Sequence, residues 1–233
     1  MCTISFIPTA SGFHLAMNRD EKRSRVAALP PAPFRMKDRR VICAREPGGG
    51  TWLAVNDAGL CLAIINWHRI ESEPAGKIES RGRIIPELIG QKDCDSVARQ
   101  LQRIELQTRR PFRLIVVDAV QRSLTEWQWN SRSLKLQPHP WERRHWYSSG
   151  YDERGAEEAR AAVCATRWLG TLAALRKLHA SHLPGRGPLS ICMHRPDAAT
   201  VSYSEVVVSG NRITLRYQPG APCQKGPRIA KRL

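Results

Sequence analysis

The 233-residue sequence lacks the features that mark several common protein classes. It contains no C-x-x-C pair, which excludes a zinc ribbon and a thioredoxin-type dithiol. It has no run of about 18 apolar residues, so no transmembrane helix is predicted. The opening MCTISFIPTASGF has neither the basic leader nor the apolar core of a signal peptide. We therefore expect a cytoplasmic protein.

Acidic residues are scarce as well, because 21 Asp and Glu stand against 37 Lys and Arg, a net charge of +16. Such an excess raises nucleic acid as a partner. The basic residues are spread along the chain, however, and no RNP, zinc-finger or helix-turn-helix signature accompanies them. The charge therefore does not favour nucleic-acid binding. It indicates a solvated basic surface or, as the alternative, an electropositive pocket for carboxylate-bearing ligands.

The seven cysteines are odd in number and widely scattered. The nearest approach to a metal-binding pair is Cys192-Met193-His194, whose outer side chains would share one face of a strand. No second Cys/His pair lies nearby in the sequence, so no metal site is predicted. We expect the cysteines other than Cys2 to be reduced and mostly buried.

Hydrophobic patterning predicts about ten antiparallel strands, with two or three helices grouped between them. Helices that are segregated rather than alternating with strands indicate an α+β fold, not a Rossmann or barrel plan. We expect one domain over residues 1–218 and a poorly ordered basic tail over 219–233. The predicted strands are 2–7, 13–18, 39–45, 51–55, 60–66, 112–120, 124–130, 133–137, 189–195, 200–209 and 212–218, the predicted helices lie within 82–90, 95–107 and 153–182, and an exposed loop is expected over 21–34.

Cys2 directly follows the initiator methionine. Methionine removal is favoured when the second residue is small, so we expect Cys2 to become the N-terminus. Its α-amine, with a pKa of roughly 7.7 to 8.0, would then serve as a general base for its own thiol, whose pKa is about 8.5. A thiolate of this kind attacks an acyl carbon, forms a thioester and releases an amine.

A hairpin that turns near residue 10 would bring Asn18 and its neighbours beside Cys2. Asp20 could then accept a hydrogen bond from the α-ammonium group. Arg19 could lower the pKa of the thiol or hold a substrate carboxylate. Asn66, a polar amide at the end of an apolar strand, is the candidate donor for the oxyanion. Each residue also has a purely structural explanation, as a small second residue, a solvated turn or a capping amide.

Several motifs stand out along the chain: MC at the start, NRDE at 18–21, GGTWLAV at 49–55, GLCLAIIN at 59–66, SRGRIIPEL at 80–88 and the closing strands over 190–217. Together they resemble the NRDE protein family, whose eukaryotic members are called transport and Golgi organisation proteins. The resemblance implies the four-layer αββα sandwich of two antiparallel sheets found in N-terminal nucleophile hydrolases, above all penicillin acylases and bile-salt hydrolases.

Carried over by position, the resemblance implies that Cys2 is the nucleophile, Asp20 the carboxylate that holds the α-amine, and Asn66 an oxyanion donor. The chain departs from the acylase pattern Arg-Asn-x-Asp, because Met17 stands in the place of the arginine. A second asparagine of the acylases has Ser149 as its nearest counterpart. We therefore group Ser149 with Asn18 and Arg19 as candidate substrate-binding residues.

Two functions follow as hypotheses. The first is an amidohydrolase that cleaves a linear, non-peptide C–N bond through Cys2 without a cofactor. The second, also implied by the resemblance, is a carrier or chaperone for haem or an acyl ligand. The sequence has no C-x-x-C-H motif, and His14, His68 and His194 are the candidate haem ligands. The expected partner is thus a small-molecule substrate or haem.

Overall fold

The fold is built on two antiparallel sheets, which a computed structural model describes over residues 2–71, 74, 76–167 and 170–233. The first sheet has the strand order β10-β1-β2-β11-β12-β13. Its strands are β1 (Cys2–Thr9), β2 (Gly12–Lys22), β10 (Arg144–Ser148), β11 (Ala198–Ser209), β12 (Arg212–Pro219) and β13 (Ile229–Arg232).

The second sheet runs in chain order from β3 to β9, so each strand pairs with the next. Most connections in this sheet are short, but residues 67–111 form a long one that contains two helices. Its strands are β3 (Leu29–Met36), β4 (Arg39–Arg45), β5 (Leu53–Asn56), β6 (Leu60–Asn66), β7 (Phe112–Asp118), β8 (Ser123–Trp129) and β9 (Leu134–His139).

Helices cover the outer face of each sheet. The second sheet is covered by α1 (Ile84–Leu88), which follows a 3-10 turn, and α2 (Cys94–Leu101). The first is covered by α3 (Glu153–Ala165) and α4 (Leu172–His179). The result is the four-layer αββα sandwich that the family resemblance implied. None of the helices in the described part of the chain has the length and apolar character needed to cross a membrane.

Because successive side chains of a strand point to opposite faces of its sheet, the buried residues form two cores. On β1, Ile4 and Phe6 are fully buried among residues of both sheets. Thr3 and Ser5, which point the other way, are buried beneath the helices and bonded to polar side chains there. A second apolar cluster lies on that helix side of the sheet. Both faces of the first strand are therefore buried. The strand also lies inside its sheet, between β10 and β2, and not at an exposed edge.

The secondary structure differs from the sequence expectations mainly in four segments. The helix predicted over 153–182 is two helices, because Thr171 caps a new one through its side chain. The segment expected to be a proline-rich loop contains β3, which lies at the edge of its sheet. Prolines are tolerated there because an edge strand has a neighbour on one side only, so their missing N–H groups cost few hydrogen bonds.

Residues 189–195 form no strand but a loop with one isolated bridge, His194 to Ala199. The tail contains β13, which pairs with β12, so the expectation of a poorly ordered tail from residue 219 is wrong.

A buried carboxylate connects the two sheets. Glu126 on β8 is 2% exposed and pairs with Arg113 on the same sheet at 2.5 Å. It also accepts a hydrogen bond from the indole nitrogen of Trp146 on β10, at 2.8 Å, and contacts His139 at 2.9 Å. Burial raises the pKa of Glu126, but its hydrogen bond and ion pair with Arg113 outweigh this and bring the pKa down from 4.5 to about 2.

Because the pKa of Glu126 is lower in the folded state, its stabilising contribution is complete above the unfolded value and is lost as the pH falls toward about 2. We predict that Glu126→Gln lowers the free energy of unfolding by about 3 kcal/mol at pH ~7. The difference from wild type should shrink between pH ~5 and ~2. Urea unfolding of both proteins across this pH range measures the difference in the free energy of unfolding. A difference that does not change with pH would contradict the lowered pKa of Glu126.

Candidate active site

Cys2 lies at the start of an inner strand and is 6% exposed. It pairs with Arg19 on β2 and with Ser148 on β10. The expected hairpin is present, but its register is one residue off, because Thr9 pairs with Gly12 around a two-residue loop. The turn centre thus falls between residues 10 and 11 rather than at 10.

The shifted register puts Asn18 opposite Thr3, with its side chain on the helix side of the sheet. There the amide donates to the backbone carbonyls of His179, at 2.8 Å, and Ile191, at 2.9 Å. Asn18 has no exposed surface and is not one of the described residues that line the cavity beside Cys2. This position gives no support to Asn18 as a substrate-binding residue, and its side chain anchors the helix layer.

Asp20 is a deeply buried carboxylate near Cys2 that is held by two partners. Its side chain is 1% exposed, accepts a 2.6 Å hydrogen bond from the Thr200 hydroxyl and pairs with Arg160 at 3.4 Å. Burial raises the pKa of Asp20, while the positive charge of Arg160 and the hydrogen bond from Thr200 act against that rise. The carboxylate sits one position along β2 from the residue that pairs with Cys2, at the same end of the hairpin.

Arg160 on α3 joins this carboxylate to the first strand. Its guanidinium is fully buried and donates to the Thr3 hydroxyl at 3.0 Å and to the Cys2 carbonyl at 3.4 Å. Sequence reasoning missed Arg160. The signal was available, because Arg160 follows Ala156 by four residues and precedes Val163 by three, which places it on the apolar face of the helix.

The environment of Cys2 disfavours a spontaneous thiolate. Burial raises the pKa of the Cys2 thiol, and the nearby Asp20 charge adds to that rise. The backbone N–H of Asp20, which donates to the sulfur, and the charge of Arg19 act in the opposite direction. A buried thiol of this kind needs a base within reach, and an α-amine on the same residue would be the nearest one.

Cys2 opens onto a cavity of about 360 Å³ between the two sheets. Asn66, the candidate oxyanion donor at the end of β6, lines the same cavity. Its side-chain nitrogen lies 3.2 Å from Nε2 of His68. Burial, with the charges of Arg81 and Arg110 nearby, lowers the pKa of His68 to about 4, so its imidazole is neutral at pH 7.

The arginines of the cavity divide into two pairs. Arg19 is bound to Glu46 at 2.6 Å and stacks on Trp52, with 4.4 Å between its guanidinium carbon and the ring centroid. Arg25 is bound to the same Glu46. Arg19 thus supports the cavity wall beside Cys2, and its charge is already matched by a carboxylate.

Arg81 and Arg110 form the second pair, and sequence reasoning did not single them out. Neither lies within ion-pair distance of a carboxylate among the residues that the structure describes. Burial, together with the adjacent Arg110 charge, lowers the pKa of Arg81 to about 10. Two neighbouring cations without a matched acid are a favourable environment for an anionic ligand group.

Ser149 lies one residue beyond the partner of Cys2 on β10 and is 1% exposed. Its hydroxyl oxygen accepts hydrogen bonds from the backbone N–H groups of Tyr151, at 3.3 Å, and Asp152, at 3.4 Å. These bonds shape the turn that leads from β10 into α3. The described lining of the cavity does not include Ser149, so the proximity of its backbone to Cys2 gives no support to a role in substrate binding.

The family model described as Transport and Golgi organisation 2 matches residues 1–156, which include Cys2, Asp20 and Asn66. The chain belongs to this family. The match covers every motif of the resemblance except the closing strands over 190–217. No curated protein matches the chain significantly.

Solved structures with a similar fold are N-terminal nucleophile hydrolases. Penicillin V acylase from Agrobacterium tumefaciens aligns with a TM-score of 0.57 and 12% identity, over 99% of this chain and 85% of its own. Two structures of conjugated bile acid hydrolase from Clostridium perfringens, one of a mutant and one of a variant, align with TM-scores of 0.59 and identities of 11% and 10%, over 99% of this chain and 92% of theirs. At this level of identity, the likeness establishes the hydrolase-like fold.

The Arg160–Asp20 pair should make a large contribution to stability that depends on both partners. We predict that Arg160→Met lowers the free energy of unfolding by about 3–5 kcal/mol, because it leaves a buried carboxylate without its counter-charge. Adding Asp20→Asn should recover part of this loss, with a coupling energy of about 2–3 kcal/mol in a double-mutant cycle from urea unfolding. Additive losses would show that the two residues act independently.

Proposed function

We propose that the protein is an N-terminal nucleophile amidohydrolase that cleaves a linear, non-peptide C–N amide bond through Cys2. The observation that carries this proposal is the position of Cys2, which is buried at the start of an inner strand, beside the anchored Asp20, and opens onto a cavity. A structural cysteine needs no such opening. The hydrolase-like fold supports the same conclusion.

In the proposed reaction, removal of Met1 frees the α-amine of Cys2, which takes the proton of the thiol. The thiolate attacks the substrate carbonyl, and the side-chain amide of Asn66 donates a hydrogen bond to the resulting oxyanion. The C–N bond breaks as the α-ammonium group returns its proton to the leaving amine. Water then hydrolyses the thioester, so the net products are a carboxylic acid and an amine.

Arg81 and Arg110 indicate the kind of substrate. Their charges face the cavity that holds Cys2 and have no carboxylate partner among the described residues. We therefore expect an amide that also bears a carboxylate or another anionic group. Penicillin V and a glycine-conjugated bile acid each combine an amide with a carboxylate, which makes them suitable first probes.

Amine or acid release from these two probes tests the mechanism. We predict that Cys2→Ala lowers kcat/KM by at least about 10³-fold. An alanine inserted between Met1 and Cys2 should have a similar effect, because it keeps the thiol but moves the α-amine. Asn66→Ala should lower kcat by about 10²–10³-fold. Full activity in the insertion variant would contradict a role for the terminal amine.

The carrier hypothesis is a second candidate, and a specific observation favours it. His68, Arg81 and Arg110 line a second cavity next to the first. A neutral imidazole could ligate iron there, and the two cations could hold propionates. The low pKa of His68 keeps its imidazole neutral across the physiological range.

If the protein carries haem, titration should give a saturable shift of the Soret band that is lost in His68→Ala and unchanged in Cys2→Ala. The matched control is His14→Ala, because His14 lies on β2 away from both cavities. A titration without saturation, or with equal binding in the His68 variant, would exclude this form of the carrier hypothesis.

A further inference from the structure

Four side chains with metal-binding atoms meet outside the described lining of the Cys2 cavity. Their ligand atoms all lie within 4.8 Å of one another. They come from three separate segments: one follows α4, two precede β11 and one follows β12. The sequence showed only the middle pair, and folding supplies the second pair that was missing. The four residues are His182, Cys192, His194 and Cys223.

The geometry points to a structural zinc site with two histidine and two cysteine ligands. Zn–N bonds of about 2.0–2.1 Å and Zn–S bonds of about 2.3 Å, arranged tetrahedrally, separate two nitrogens by about 3.3 Å and a nitrogen from a sulfur by about 3.6 Å. The observed separation of the two Nε2 atoms, His182 to His194, is 3.2 Å. The sulfurs of Cys192 and Cys223 lie 3.6 and 3.4 Å from Nε2 of His194.

Hydrogen bonding alone does not account for this cluster. Nε2 of His194 is within contact distance of three partners, the imidazole of His182 and the thiols of Cys192 and Cys223. A neutral imidazole nitrogen has either one hydrogen or one lone pair, so it can form a good hydrogen bond with only one of the three partners. A cation at the centre satisfies all four groups at once, after the two thiols release their protons.

The backbone holds the ligands in place before a metal binds. The N–H of Cys192 donates to the carbonyl of Ser181, at 2.9 Å, which fixes Cys192 beside the segment of His182. The side-chain amide of Gln218 donates to the carbonyls of Ala221 and Gln224, at 3.2 and 2.9 Å, and so shapes the turn that carries Cys223. Such outer contacts are typical of metal sites, whose ligands need a fixed orientation.

Four protein ligands leave no position for a substrate, so the site is structural rather than catalytic. Cys192 is fully buried, whereas His182, His194 and Cys223 are half-buried and give a metal access from solvent. The site also supports Asp20 indirectly. The N–H of Met193 donates to the Thr200 hydroxyl at 2.8 Å, and that hydroxyl donates to Asp20.

The test is the metal content of the purified full chain, measured by plasma mass spectrometry under reducing conditions. We expect about one zinc per chain in wild type, and the same in Cys94→Ser and Cys2→Ala. Cys223→Ser should lose at least about 90% of the metal at the same free zinc concentration. Cys94→Ser is the matched control, because Cys94 is also half-buried but lies away from the cluster.

Two further measurements keep the test independent of whether a variant folds. Zinc added back to chelator-treated wild type should raise Tm by at least about 5 °C. X-ray absorption of the zinc form should give two sulfur ligands at about 2.3 Å and two nitrogen ligands at about 2.0 Å. A wild-type chain that takes up no zinc, a Cys192–Cys223 disulfide in the isolated protein, or unchanged zinc in Cys223→Ser would each overturn the proposal.

Discussion

The buried ion pair between Asp20 and Arg160 is the interaction on which the candidate site depends. Both side chains have almost no exposed surface, and the guanidinium also binds the carbonyl of Cys2 and the hydroxyl of Thr3. Burying two charges is costly unless each is fully matched, so neither residue suits an ordinary structural position. The pair instead fixes the beginning of β1 relative to the end of β2, which brings the sulfur of Cys2 to the edge of a cavity. The hydrolase-like architecture supplies the layers that make this burial feasible.

The arginines of the cavity differ in whether a carboxylate pairs with them. Arg19 and Arg25 both pair with Glu21 and Glu46, two carboxylates for two cations, whereas Arg81 and Arg110 have no described carboxylate partner. This division refines the alternative raised by the net charge, an electropositive pocket for carboxylate-bearing ligands. It also explains why the amidohydrolase and carrier hypotheses share a ligand class, since both need an anionic group to be held near these cations.

Much of the fold could be predicted from the sequence, because alternation and turn signals are local. The strands at Arg39–Arg45 and Leu60–Asn66 have the predicted bounds, and the first hairpin is present. Its register was missed by one residue, because a two-residue loop and a three-residue turn leave similar sequence signals. The partners of Asp20 could not be found in this way, since Arg160 and Thr200 are distant in sequence and meet it only after folding. The histidine–cysteine cluster could not be predicted for the same reason, because its four residues come from separate segments of the chain.

The central claim is that folding makes the liberated amino end and the sulfur of Cys2 one reactive unit. The most direct measurement is a time course of alkylation by iodoacetamide, followed by intact mass and peptide mapping of the purified protein. The account predicts a mass without Met1 and a first adduct at Cys2, formed faster than at the half-buried Cys94 and Cys223. A retained methionine, or labelling of Cys2 no faster than of those two cysteines, would contradict it.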